Sequence, residues 1–119
     1  MPDAGRVVTG LAGGLRLEAP GPATRPLSDK VKQALFSLME AEREDIWEHA
    51  MLDLFAGSGA AGIEALSRGA PAAVLVEQDG RTVSVIARNL ERTHLSEGAR
   101  VIRREIAQRI AVWRRSCPG

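Results

Sequence analysis

Two carboxylates in this sequence bracket a glycine-rich turn. Asp53 lies in the apolar run Met51-Leu52-Asp53-Leu54-Phe55, which passes into Ala56-Gly57-Ser58-Gly59-Ala60-Ala61-Gly62. Glu77 closes the next apolar run, Ala72-Ala73-Val74-Leu75-Val76, twenty residues past Gly57. Glycines at 57, 59 and 62 fit G-x-G-x-x-G, a spacing that permits a tight turn, close backbone approach of a ligand and close packing of helix on strand. This is the layout of a nucleoside-cofactor pocket, and two classes of cofactor use it. A dinucleotide such as NAD lays its pyrophosphate on the helix N-terminus. S-adenosylmethionine has no phosphate and carries a sulfonium and an ammonium group. A carboxylate at Asp53 repels the first and attracts the second, by about 1 kcal/mol in water and roughly 4 kcal/mol near a protein surface at about 4 Å. Asp53 therefore favours S-adenosylmethionine. Glu77, at a strand tip, can accept hydrogen bonds from both ribose hydroxyls and serves either cofactor. Against this stands a structural reading in which Asp53 is a turn residue or helix-cap acceptor and Glu77 a solvated strand end.

The elements that must hold these groups follow from periodicity. Arg6-Val7-Val8-Thr9-Gly10 and Leu15-Arg16-Leu17-Glu18, separated by Gly13-Gly14, predict a hairpin. Residues 20–26 read as a loop. Ser28 is a candidate N-cap with Asp29 in the first turn. The helix that follows places Val31, Ala34, Leu35, Leu38 and Met39 on one apolar face and Lys30, Lys32 and Gln33 on the other. An acidic connection, with room for a helical turn, leads to a strand near 50–55. From there the pattern alternates: a helix over 59–68 stopped by Gly69, a strand over 72–77, and a helix over 80–94 with Val83, Ile86, Ala87 and Leu90 on one face. A strand over 99–103 and a helix over 105–115 aligning Ile106, Ile110 and Trp113 complete it. Such alternation implies β-α-β units and a parallel sheet, with the ligand at the carboxyl ends of the strands. The expected organisation is an extension over 1–48 and the first half of a cofactor-binding domain over 49–119.

Composition removes several functions. A chain of 119 residues with net charge +1 makes no strong electrostatic statement as a whole. Six arginines and one acid between Arg100 and Arg115 form a basic segment that could meet phosphate or simply face water. Cys117 is the only cysteine, so no intrachain disulfide exists, and His49 and His94 make no metal-ligand spacing. No metal site is expected. No apolar run approaches the roughly 18 residues a membrane span needs, and no signal region is evident. The chain reads as cytoplasmic.

The run Asp53-Leu54-Phe55-Ala56-Gly57-Ser58-Gly59-Ala60-Ala61-Gly62-Ile63-Glu64-Ala65-Leu66-Ser67-Arg68-Gly69-Ala70 resembles the cofactor motif of the RsmD-like 16S ribosomal RNA (guanine-N2)-methyltransferases. Upstream, Ala23-Thr24-Arg25-Pro26-Leu27-Ser28-Asp29-Lys30-Val31-Lys32-Gln33-Ala34-Leu35-Phe36 is similar to that family's second hallmark, and Arg6 to Gly10 with Gly14 to Leu17 matches its opening hairpin. The resemblance runs from about residue 6 to residue 105. It implies a Rossmann-like methyltransferase fold, here truncated after about three core parallel strands and preceded by the hairpin and helix. It implies S-adenosylmethionine as cofactor and ribosomal RNA or a small-subunit particle as partner. Asp53 and the backbone of Phe55, Ala56, Gly57, Ser58 and Gly59, with Gly62 closing the turn, would hold the methionine part. Glu77 would take the ribose, Gln78 would flank the adenine, and Glu105 would stand where an aspartate commonly contacts the adenine amine. Arg104 replaces a small residue beside it. Arg25 would close over the cofactor, touch RNA or form an ion pair with Glu64, and Lys30 and Lys32 would add phosphate contacts.

The family's catalytic loop, (Asp/Asn)-Pro-Pro-(Tyr/Phe) after the fourth core strand, has no match here. The only prolines after Gly62 are Pro71 and Pro118, and there is no tyrosine. The expectation is therefore no catalytic residue in this chain: an N-terminal piece of a longer enzyme, inactive alone, with the bared edge of the 50–55 strand prone to self-association. Three other readings compete: a methyltransferase of the same fold on another nucleic acid, an NAD(P)-binding oxidoreductase domain, and a non-catalytic RNA-binding module using the hairpin, the lysines and the basic last helix.

Overall fold

A computed structural model of the protein describes residues 3–21 and 28–105. The Thr24-Arg25-Pro26 segment, and all of the expected last helix except Glu105, lie outside them. Strands β1 (Asp3–Arg6) and β2 (Arg16–Glu18) form an antiparallel hairpin. Helix α1 (Asp29–Glu42) follows, then a short helical turn at Ile46–Glu48. Next come β3 (Met51–Asp53), α2 (Ala60–Arg68), β4 (Ala73–Glu77), α3 (Gly80–Thr93) and β5 (Ala99–Arg103). The three later strands make a parallel sheet in the order β3-β4-β5, with Asp53 opposite Leu75 and Glu77 opposite Arg103. The expected alternation and parallel pairing are both present. Among the described residues no helix is long and apolar enough to cross a membrane.

Local chemistry explains the boundaries. The Ser28 side chain accepts from the Val31 N–H at 3.2 Å and starts α1. Gly69, in the left-handed region with φ 117°, ends α2. Asp79 caps α3 through the Thr82 N–H at 3.0 Å.

The hairpin departs from expectation. Its first strand is Asp3–Arg6 rather than 6–10, because the backbone of residues 9–12 bonds to α2 instead of to a partner strand. Leu11 N–H donates to Ser67 O at 2.8 Å, Ala12 N–H donates to Ser67 Oγ at 2.9 Å, and that hydroxyl donates to Thr9 O at 2.6 Å. Gly10 lies so close that a Cβ there would sit 1.9 Å from Ser67 O. Val7 and Leu17 of the hairpin region share one apolar cluster with Ile63, Leu75, Ile86 and Leu90.

Helix α1 is rotated relative to its apolar stripe. Its fully buried residues are Lys32 and Phe36, while Val31, Leu35 and Leu38 are exposed, at 54, 43 and 59%. This corrects both the expected buried face and the expected solvent-facing position of Lys32. The cause is a buried carboxylate. Glu64 on α2 is fully enclosed and lies 3.6 Å from the Lys32 Nζ, which is equally enclosed and also donates to Arg6 O. Glu64 further accepts from Val8 N–H at 2.8 Å, Thr9 N–H at 3.2 Å and Arg68 Nε at 3.0 Å. Arg68 also pairs with Glu40 and lies over the Phe36 ring at 5.1 Å, and Phe36 stacks on Trp47 with centroids 5.5 Å apart. Phe36 and Lys32 lie four residues apart and so share one helix face; that face, not the Leu35 stripe, meets α2. On α3 the inward face likewise shifts. Val85, Ile86, Asn89 and Leu90 are buried, Val83 is half-buried and Ala87 is exposed.

Replacing Glu64 by alanine removes the acceptor for two backbone N–H groups and leaves Lys32 buried without its counter-charge, an expected loss of about 3–5 kcal/mol. Lys30→Ala, exposed on the same helix, should change stability by no more than about 0.5 kcal/mol. Urea unfolding of both variants checks this; equal midpoints would contradict the assignment.

Candidate functional site

The carboxyl ends of β3 and β4 bring Asp53, the glycine turn and Glu77 together. The Ala56 N–H donates to Val76 O at 3.0 Å, which holds the start of the turn onto β4. The chain then reverses through Gly57 (φ 55°) and Gly59 (φ 86°), both in the left-handed region, with Gly59 N–H donating to Ala56 O at 2.7 Å. Glu77 is tied directly to this turn. One of its oxygens accepts from Gly57 N–H at 3.1 Å and the other from Asp79 N–H at 3.0 Å. A carboxylate offers about four lone-pair sites, so acceptor capacity remains for hydroxyl donors.

Asp53 is half-buried. Burial pushes its carboxyl above the ordinary aspartate range, and the neighbouring Glu77 charge pushes the same way, while the backbone N–H groups of Phe55 and Gly62 oppose the shift. Gly59, at the N-cap of α2, has no side chain to cap the helix. The Asp53 carboxyl lies close enough to the Gly62 N–H, in the first turn of the helix, for that N–H to favour its ionised form. This placement of a carboxylate at the helix N-terminus bears on ligand choice. A pyrophosphate seated on this helix end would compete with a carboxylate already there. A cation beside Asp53 would instead relieve both the burial and the Glu77 repulsion. The half-buried, cation-seeking carboxylate, the ribose-competent Glu77 and the open face of the turn together fit a cationic nucleoside such as S-adenosylmethionine.

The remaining sequence-derived residues distribute unevenly. Ala56, Gly59 and Gly62 are buried, and Ser58 is half-buried within the turn. Phe55 is 73% exposed beside it. Gln78 is exposed, and its carbonyl accepts from Arg103 Nε at 3.3 Å. Glu105 is exposed just past β5, next to Arg104, whose N–H donates to Glu77 O at 3.0 Å. Lys30 is exposed beside a groove of about 360 Å³ that Arg6, Val8, Asp29 and Gln33 also line. Lys32 is corrected: enclosed and paired with Glu64, it cannot reach RNA phosphate. Arg25 lies outside the described residues. Among the described residues no group of three or more His, Cys, Asp or Glu could hold a metal. Sequence reasoning missed Asn89, a polar residue that interrupts the apolar run Val85, Ile86 and Leu90 on the buried face of α3. That interruption was its only local signal.

The glycines of the turn separate fold from site. A Cβ at Gly62 would meet Leu75 Cδ2 at 2.8 Å, whereas one at Gly57 would meet nothing within 4 Å. Gly62→Ala should therefore destabilise the chain by about 1–3 kcal/mol through overpacking. Gly57→Ala should cost only about 1–2 kcal/mol for a left-handed residue, yet set a methyl on the open face of the turn and abolish nucleoside binding. Thermal melting and ligand titration of the two variants check the contrast.

Comparison with known proteins places this geometry. The profile of the family described as Conserved hypothetical protein 95 matches residues 5–116. The chain is 39% identical over 101 residues to YlbH of Bacillus subtilis (strain 168), covering 84% of this chain and 53% of that protein. It is 39% identical over 98 residues to ribosomal RNA small subunit methyltransferase D of Escherichia coli (strain K12), covering 82% and 48%. A solved structure of a Thermus thermophilus protein superposes with TM-score 0.75 at 37% identity, covering 86% of this chain and 56% of that one. The chain spans about half the length of the curated relatives it matches. The resemblance drawn from the glycine motif and the Thr-Arg-Pro segment is borne out, as is the Rossmann-like architecture: the chain belongs to the Conserved hypothetical protein 95 family, the RsmD family of methyltransferases.

Proposed function

We propose that this chain is the cofactor-holding part of an S-adenosylmethionine-dependent methyltransferase that modifies an exocyclic amine, guanine N2, of small-subunit ribosomal RNA in the cytoplasm. The observation that carries the reading is Asp53: a half-buried carboxylate at a strand tip, with its pKa raised by burial, beside Glu77 and an open glycine turn. The names of the relatives support the substrate class. When bound, S-adenosylmethionine supplies an electrophilic methyl group on a sulfonium. Asp53 pairs with the ammonium, and the backbone from Phe55 to Gly59, closed by Gly62, follows the methionine part. Glu77 accepts from the ribose hydroxyls, while Gln78 and Glu105 flank the adenine. No side chain of this chain is assigned to catalysis. Its contribution is to position the methyl donor, and positioning carries much of a direct displacement. RNA contact is assigned to Arg25 and, at the groove between hairpin and α1, to Lys30 beside Arg6; the partner is ribosomal RNA or the small-subunit particle.

Calorimetric titration with S-adenosylhomocysteine, with NAD as control, tests this reading. Micromolar binding, about −8 kcal/mol, is expected for the first and none for the second. Asp53→Asn should weaken the binding about tenfold or more, or about 1.4 kcal/mol. The pH sign follows from the raised pKa. The ligand's ammonium favours ionised Asp53, so binding releases a proton at low pH. Affinity should rise as pH increases through the raised Asp53 pKa, above the ordinary aspartate range, and then level off. Without ligand the sign reverses: the contribution of Asp53 to stability is full below the unfolded aspartate pKa and declines as pH rises through the raised folded value. NAD binding, or an unchanged Asp53→Asn affinity, would contradict the assignment.

Self-association is the second part of the proposal. Among the described residues β3 pairs only with β4, its Leu52 is 61% exposed, and Phe55 just past its end is 73% exposed. Light scattering should show the isolated chain above monomer mass, with Leu52→Lys restoring the monomer; a wild-type monomer at high concentration would contradict it.

A further inference from the structure

Asn89 is fully buried on the face of α3 that also buries Val85, Ile86 and Leu90. A buried amide among apolar side chains is costly unless its hydrogen bonds are made, and here they are. Asn89 Oδ1 accepts from Glu18 N–H at 2.8 Å. Its Nδ2 donates to Glu18 O at 2.9 Å and to Ser58 O at 2.8 Å. The paired bonds to one residue's N–H and C=O fix which end of the amide is oxygen. The second Nδ2 hydrogen is then committed to Ser58. Ser58 sits between the two left-handed glycines of the turn, so the direction of its carbonyl sets the peptide plane that joins it to Gly59. No charged or apolar replacement does this. An aspartate would set a carboxylate against two carbonyls, and an alanine would leave an N–H and two carbonyls of the buried junction without partners.

We infer that Asn89 is a positioning residue of the cofactor site: it clamps the glycine turn to strand β2 and so sets the affinity for the amino-acid end of the cofactor. This rests on the S-adenosylmethionine reading above and deepens it, making the hairpin part of the cofactor site although it lies outside the strand–turn–helix unit. Arg88 provides an internal control. It grips the same Glu18 from outside, through a two-fold contact at 2.9 and 3.0 Å, but is half-exposed and does not touch the turn.

The test compares two ligands on the whole chain. S-adenosylhomocysteine carries the amino-acid end; 5′-methylthioadenosine keeps the nucleoside and lacks it. Asn89→Ala should weaken the first about tenfold or more and the second by no more than about threefold, while Arg88→Ala should move neither by more than about threefold. Asn89→Ser buries no charge, keeps a small polar group beside Glu18 and loses the donor to Ser58, and should reproduce the selective loss if the alanine variant does not fold. A loss shared equally by both ligands, or no loss, would overturn the inference and leave the cofactor reading standing. Failure of the wild-type chain to bind either ligand would overturn that reading, and the inference with it.

Discussion

The carboxylate of Glu64 is the fixed point of this molecule. It lies in the middle of α2, out of water, and is engaged by two backbone N–H groups of the hairpin region, by Lys32 of α1 and by Arg68 of its own helix. A buried charge is tolerated only when it is paired and hydrogen-bonded. Each partner therefore has to be where it is: Val8 and Thr9 over the helix, α1 rolled to bring Lys32 inward, and Phe36 drawn beneath Arg68. The two sequence hallmarks, Ser28 to Phe36 and Asp53 to Ala70, meet physically at the Lys32–Glu64 pair.

The same helix carries the site at its other end. Its first turn lies at the carboxyl ends of β3 and β4, where the Gly62 N–H favours the ionised form of Asp53. Glu77 ties the turn to β4 from the other side. Two carboxylates at a helix N-terminus are stabilised by its dipole and by backbone donors, and together they create a local field suited to a cation. A glycine turn of this spacing can serve anionic or cationic cofactors. The charge placed beside it decides between them.

Much of this is legible in the sequence. The strand–turn–helix unit and the parallel alternation rest on local period, turn residues and caps, which act over three to five residues. Ser28, Gly69 and the 99–103 strand stand where those signals place them. What escapes a sequence reading is set by distant partners. Counting apolar spacing on α1 puts Leu35 inward and Lys32 outward, because no local signal announces a carboxylate thirty-two residues away. The first strand lies earlier than its β-prone run because Thr9 to Ala12 bond to Ser67 rather than to a strand. Asn89 is silent for the same reason: its partners, Glu18 and Ser58, are remote in sequence. Asp53 and Glu77 are legible because their positions at strand ends are local facts with a chemical meaning.

The most direct measurement is an amide chemical-shift map of the chain titrated with S-adenosylhomocysteine. The largest shifts are expected for residues 54–59 and 77–79, where Asp53 and Glu77 face the glycine turn. Shifts confined to the groove between the hairpin and α1, or the absence of any saturable shift, would contradict a cationic-nucleoside site between the two carboxylates.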